Sequence, residues 1–151
     1  MTLSANHAII CYNNLLRSAL VSSISASSAS DGFSVANAYD WYTTSYWSPT
    51  AASGTHTITA HFSSAVSADY FAIYRHNLGS VGGTVVLEHS NDGSTWTAAF
   101  TAEAAADNEL LLKTFTSVSA TYWRVKFSLS SATPFYLGVV MFGAKLPLYR
   151  G

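Results

Sequence analysis

Two stretches of the chain carry residue types that could do chemistry. Tyr74-Arg75-His76-Asn77 sets four hydrogen-bonding side chains in a row at the end of an apolar, strand-like run. The stretch "YDWYTTSYW", Tyr39 to Trp47, gathers aromatics in an irregular segment. Guanidinium and amide groups bond sugar hydroxyls, and Tyr or Trp rings stack on the apolar faces of sugars. Tyr42, Tyr46, Arg75, His76 and Asn77 are therefore candidate glycan-binding residues. A structural role competes at each stretch. Arg75 would pair with an acid such as Asp69 or Glu88, and Asn77 would cap a turn. Trp41 and Trp47 would plug an open end of the fold.

Catalysis finds little support in the residue pattern. The five histidines are His7, His56, His61, His76 and His89. None has the i, i+4 helical spacing of a zinc site with a carboxylate between. His56 and His61 are five apart on one strand, so they face opposite sides. No Gly-x-Ser-x-Gly elbow or phosphate-cradling glycine loop is present, and no carboxylate pair stands out for glycoside hydrolysis. The expectation is a protein that is not an enzyme. Cys11 is the only cysteine, which excludes an intramolecular disulfide and a thiolate zinc cluster.

The elements that must position these residues read as strands. Only 10% of the 151 residues are charged, and the net charge is −1. Without a basic stripe, nucleic acid is not an expected partner. A surface so poor in charge suits contact with other proteins. Leu20–Ala26, Thr55–Phe62 and Ala68–Asn77 read as strands, the second with Thr55, Thr57 and Thr59 facing away from His56, Ile58 and Ala60. Asn91-Asp92-Gly93 marks a hairpin turn between strands near Thr84–His89 and Trp96–Thr101. Leu110–Phe115, Thr121–Leu129 and Phe135–Gly143 read as closing strands. The N-terminus lacks a basic n-region and a long apolar run, so neither a signal peptide nor a membrane span is expected.

The order of motifs carries a resemblance. "ANAYD" (Ala36–Asp40) precedes Trp47 and "THTITAHF". Then come "ADYFAIY" (Ala68–Tyr74), "SNDGSTW" (Ser90–Trp96), "TYWRVKF" (Thr121–Phe127) and "FYLGVVMFG" (Phe135–Gly143). From Leu16 to Gly143 this resembles the discoidin, or coagulation-factor C-type, domain of the galactose-binding-like superfamily. "YFAIYRHNLGS" followed by "VVLEHSNDGSTWT" resembles, more narrowly, discoidin-like domains in virion proteins of tailed bacteriophages.

The resemblance implies an all-β, discoidin-like jelly-roll β-sandwich over 16–143. Residues 1–15 would form an N-terminal arm or extra strand, and 144–151 a C-terminal arm. It places core aromatics at Trp96 and Trp123. It implies a non-enzymatic structural part of a phage virion, in tail, baseplate or capsid decoration, made in a host cytoplasm. Its partners would be other virion proteins and copies of itself in a homo-oligomer. The alternative it implies is a carbohydrate-binding module attaching to a glycan. Calcium is a possible cofactor in such domains, with Asp40 in the corresponding loop. The closing-strand Glu that often completes that site is replaced near Gly138, and the usual pair of stapling cysteines is absent.

Overall fold

The computed structural model of the protein describes residues 8–148. The first seven residues, with Leu3 and His7 among them, and the last three lie outside the described part. Nine strands follow in order: β1 (Ala8–Cys11), β2 (Val21–Ala26), β3 (Gly54–His76), β4 (Thr84–Ser90), β5 (Thr97–Ala98), β6 (Glu103–Ala104), β7 (Leu111–Leu129), β8 (Leu137–Gly143) and β9 (Lys145–Leu148). Two short 3-10 turns cover Leu15–Arg17 and Val35–Ala38.

The pairs of strands expected at Thr55–Phe62 and Ala68–Asn77, and at Leu110–Phe115 and Thr121–Leu129, each fuse into one long strand. The joining segments contain neither Gly nor Pro, so nothing in them ends a strand. β3 and β7 run antiparallel along their lengths, with register shifts between His61 and Val66 and between Ala68 and Tyr70. Their outer neighbours change across these bulges. The first half of β3 pairs with β2 and its second half with β8. The second half of β7 pairs with β4. The β3–β7 pair thus supplies the centre of both layers of a sandwich, one ordered β2-β3-β7-β4, the other β8-β3-β7. Bulges are the usual means of turning a strand between layers.

The core fills the space between the layers. His56, Ile58, Ala60 and Phe62 point inward from β3, and Thr57 and Thr59 point outward, as the alternation requires. Trp123 of one layer meets Phe142 of the other at 5.7 Å between ring centroids. Trp47, Phe127 and Phe135 form a second cluster, at 4.9–6.1 Å. Trp47 is fully buried, and its indole N–H donates to the Ser28 carbonyl at 2.9 Å.

Trp96 departs from expectation. It precedes β5 and lies under the Arg124 guanidinium, 4.2 Å from its ring centroid. Arg124 and Lys126 both donate to the buried carboxylate of Glu88. Trp96 therefore covers an ion-pair cluster, where a cation–π contact is available, and leaves the core to Trp123. The hairpin itself is scaffold. Gly93 supplies φ +71°, and the Asp92 carboxylate accepts the Ser94 and Thr95 N–H groups at 2.8 and 2.7 Å. Those bonds hold its pKa well below the ordinary carboxylate value.

The terminal segments pair with each other. β1 and β9 form an antiparallel ribbon in which Ala8 faces Leu148 and Ile10 faces Leu146. Ile10, Leu146 and Leu148 stand exposed, as does Tyr12 just beyond. The chain then crosses the outside of the second layer. The Tyr70 hydroxyl donates to the Asn13 carbonyl at 2.6 Å, and a Cβ on Gly143 would overlap that same oxygen. This crossing buries Tyr70, so β3 has no solvent face there.

Candidate functional site

The site begins from one buried row. Leu137 pairs with Trp47 on one side and with His76 on the other, and all three side chains point inward, at 1% exposure or less. Strand alternation then turns their neighbours outward. Antiparallel register places Gly138 between Tyr46 and Arg75. The Arg75 side chain lies over Gly138: a Cβ there would stand 3.1 Å from its Cβ, Cγ and Cδ. Tyr46 stacks on Phe33 at 4.6 Å between centroids and tilts against Tyr136 at 5.4 Å. Tyr46, Gly138, Arg75 and Tyr136 therefore share one face, an aromatic platform beside an exposed cation.

Arg75 takes an uncommon backbone conformation, φ +53°. For a non-glycine residue this costs on the order of 1 kcal/mol and persists only where the surroundings enforce it. Both following residues do so. The His76 Nδ1 accepts the Leu78 N–H at 3.1 Å. Asn77 donates to the Pro134 carbonyl at 2.8 Å and accepts the Tyr136 N–H at 2.9 Å. His76 is 1% exposed and its Nε2 has no hydrogen-bond partner among the described residues. Burial holds its pKa below the ordinary histidine value, against an opposing pull from the Glu109 main chain and the Asp107 and Glu109 charges.

The expected trio of Arg75, His76 and Asn77 is thus divided. Arg75 is exposed, whereas His76 and Asn77 are buried and bonded to backbone. The reason is the positive φ, which leaves Tyr74 and Arg75 both outward and returns His76 to the core. The acids suggested as partners for Arg75 are engaged elsewhere. Glu88 holds Arg124 and Lys126, and Asp69 holds Lys145 at 3.0 Å.

The aromatic stretch is also divided. Trp47 is core, while Trp41 and Tyr42 are 49% and 68% exposed. Asp40 organises the loop: its two carboxylate oxygens accept the Tyr42 N–H at 2.8 Å and the Ser45 hydroxyl at 2.7 Å. Arg17 donates to the Tyr39 carbonyl at 3.1 Å. Trp41, with φ +71°, completes the turn that projects Tyr42.

The residues present do not fit calcium. Both Asp40 oxygens serve the loop, and at Gly138, where a second acid would stand, the Arg75 stem fills the space. A guanidinium there opposes a cation. Among the described residues no three His, Cys, Asp or Glu side chains gather to hold a metal ion. Two open clefts, about 290 and 310 Å³, lie by Glu103–Lys113 and His89–Thr97 and include no platform residue.

Phe33, Tyr136 and Gly138 escaped sequence reasoning as site residues. Their role follows from pairing across distant segments, and no local pattern marks it.

The model of the F5/8 type C domain matches residues 23–137. No curated protein matches the chain. Solved structures share the fold at low identity. Chitosan-binding module 1 of a Paenibacillus sp. IK-5 chitosanase/glucanase is 21% identical, with TM-score 0.70 over 88% of this chain and 100% of that one. CpGH89CBM32-5 from Clostridium perfringens, in complex with GalNAc-β-1,3-galactose, is 16% identical, with TM-score 0.66 over 81% and 94%. The CBM32 of AlyQ, in complex with 4,5-unsaturated mannuronic acid, is 22% identical, with TM-score 0.62 over 81% and 94%. With its motifs in order and the family model matched across its sandwich, the chain belongs to the F5/8 type C domain family.

Proposed function

We propose that this protein is a non-catalytic carbohydrate-binding module. Its ligand face is the platform of Tyr46, Tyr136 and Arg75, with the exposed Tyr42 on the loop that leads into Tyr46. The observation that carries this reading is the placement of Tyr46 and Arg75 on either side of a glycine. That glycine lets the Arg75 stem lie across the strand, which sets a donor that can bond a sugar on the same face as rings that can stack on it. Similar folds serve chitosan, a neutral disaccharide and an unsaturated uronic acid in the three modules above. They support glycan binding as a class and leave the ligand open.

The test is a glycan array probed with the multivalently displayed protein and with Tyr42→Ala and Arg75→Ala. Both side chains are exposed, so the variants should keep the parent's melting temperature. A hit weakened about tenfold or more in either variant supports the reading. Equal binding by all three proteins would remove the site from this face.

A second reading is assembly into a larger particle, in the extreme a phage virion, through copies of itself or other proteins. It is favoured by the uncharged outer face of the β1–β9 ribbon, where Ile10, Tyr12, Leu146 and Leu148 are exposed together. The two readings use different faces and can hold at once. Sedimentation of the parent and an Ile10→Ser/Leu146→Ser variant tests it: a concentration-dependent oligomer lost in the variant is expected, and a monomer in both would dismiss self-assembly.

A further inference from the structure

We infer that the sugar recognised is anionic, a uronate whose carboxylate is held by Arg75. This rests on the glycan-binding reading of the platform and specifies its ligand. The argument starts from where the positive charges go. Among the described residues, Lys113, Arg124, Lys126 and Lys145 each have an acid partner. Arg17 and Arg75 have none. Both border the Tyr39–Trp47 loop, Arg17 through the Tyr39 carbonyl and Arg75 through Gly138 and Tyr46. Among the described residues, the two cations left without an acid thus stand by the two ends of that loop.

The loop's own acid makes no ion pair with either arginine. Asp40 spends both carboxylate oxygens on the Tyr42 N–H and the Ser45 hydroxyl. Arg75 is also preorganised. Its stem lies on Gly138, its backbone is held at φ +53°, and buried His76 and Asn77 fix the chain behind it. A guanidinium so placed offers a planar fork of N–H donors that matches the two oxygens of a carboxylate. A neutral sugar meets that fork with hydroxyl oxygens alone and brings no charge to pair with it. The aromatic neighbour takes the ring of the same sugar, which puts an apolar face and an anionic edge in one residue: a hexuronate.

The experiment compares oligogalacturonate and oligomannuronate with their methyl esters and with a sulfated galactan oligomer. Affinity is measured by titration calorimetry for the parent, Arg75→Gln, Arg75→Lys and Tyr42→Ala. The expected result is a uronate bound at least about tenfold more tightly than its ester. That preference should vanish in Arg75→Gln, return in part in Arg75→Lys, and weaken with salt. Ester and acid bound alike, with binding still lost in Tyr42→Ala, would overturn the anionic ligand and keep the glycan-binding module. A preference for the sulfated oligomer would overturn the carboxylate. A uronate preference that survives Arg75→Gln would overturn the role of Arg75. No binding here or on the glycan array would overturn both readings together.

Discussion

The side chain of Arg75 lies across Gly138, with three of its carbons 3.1 Å from where a β-carbon would stand. Strand and arginine are thus fitted to each other, and neither position accepts a larger neighbour without movement.

Gly138→Val should displace the Arg75 stem. Overpacking of this kind costs about 1–3 kcal/mol. Ligand affinity should fall about tenfold in Gly138→Val, while adding Gly138→Val to Arg75→Ala should cost little further affinity. A double-mutant cycle by calorimetry checks the coupling, and additive losses would show that the two residues act separately.

His76 makes stability depend on pH. Its folded pKa is depressed below the ordinary histidine value, so the unfolded chain binds its proton first. The stabilisation is complete above about pH 6.5 and declines as pH falls toward the folded value, with a slope of up to about 1.4 kcal/mol per pH unit. His89, also depressed by burial, acts in the same direction. Urea midpoints between pH 8 and pH 5 should fall less steeply in His76→Gln than in the parent. Parallel curves would show that His76 is not the group responsible.

Trp47 and Trp41 should respond oppositely to truncation. Trp47→Ala removes a fully buried ring that contacts Phe127 and Phe135 and orphans the Ser28 carbonyl. The expected cost is about 3–5 kcal/mol, enough to threaten folding. Trp41→Ala, at a half-exposed ring, should stay within about 0.5 kcal/mol of the parent. Denaturant unfolding followed by circular dichroism distinguishes them.

Glu88 should be costly to neutralise. Burial pushes its pKa up, but the bonds from Lys126 and Arg124 outweigh this and leave it below the ordinary value. Its stabilisation is therefore present above about pH 4.5 and lost as pH falls through the lower folded value. Glu88→Gln at pH 7 should cost about 1–3 kcal/mol, since two charged donors lose their anion. The same variant at pH 3 should differ less from the parent, which thermal melts at the two pH values would show.

The sequence by itself determined the strands and much of their facing. The alternation of His56, Ile58 and Ala60 against Thr57 and Thr59 and the Asn91-Asp92-Gly93 turn are local or periodic properties, and side-chain period and turn chemistry impose them wherever the segment lies; the buried Trp123 followed from the family resemblance. Tyr42 and Arg75 were also legible as aromatic and polar candidates, although an acid partner was the competing expectation for Arg75. Only the tertiary structure decided the rest. The fusion of β3 across Ser63-Ser64-Ala65 depends on β7 running beside it through two bulges. The burial of Tyr70 depends on Asn13 crossing from the other end of the chain. The site depends on Leu137 lying between Trp47 and His76, a register that sets Gly138 between Tyr46 and Arg75. The fate of His76 turned on one dihedral angle, since a positive φ at Arg75 reverses which side the next residue faces. Such relations join residues far apart in sequence, and the energy that fixes them comes from packing between layers, which no single segment encodes.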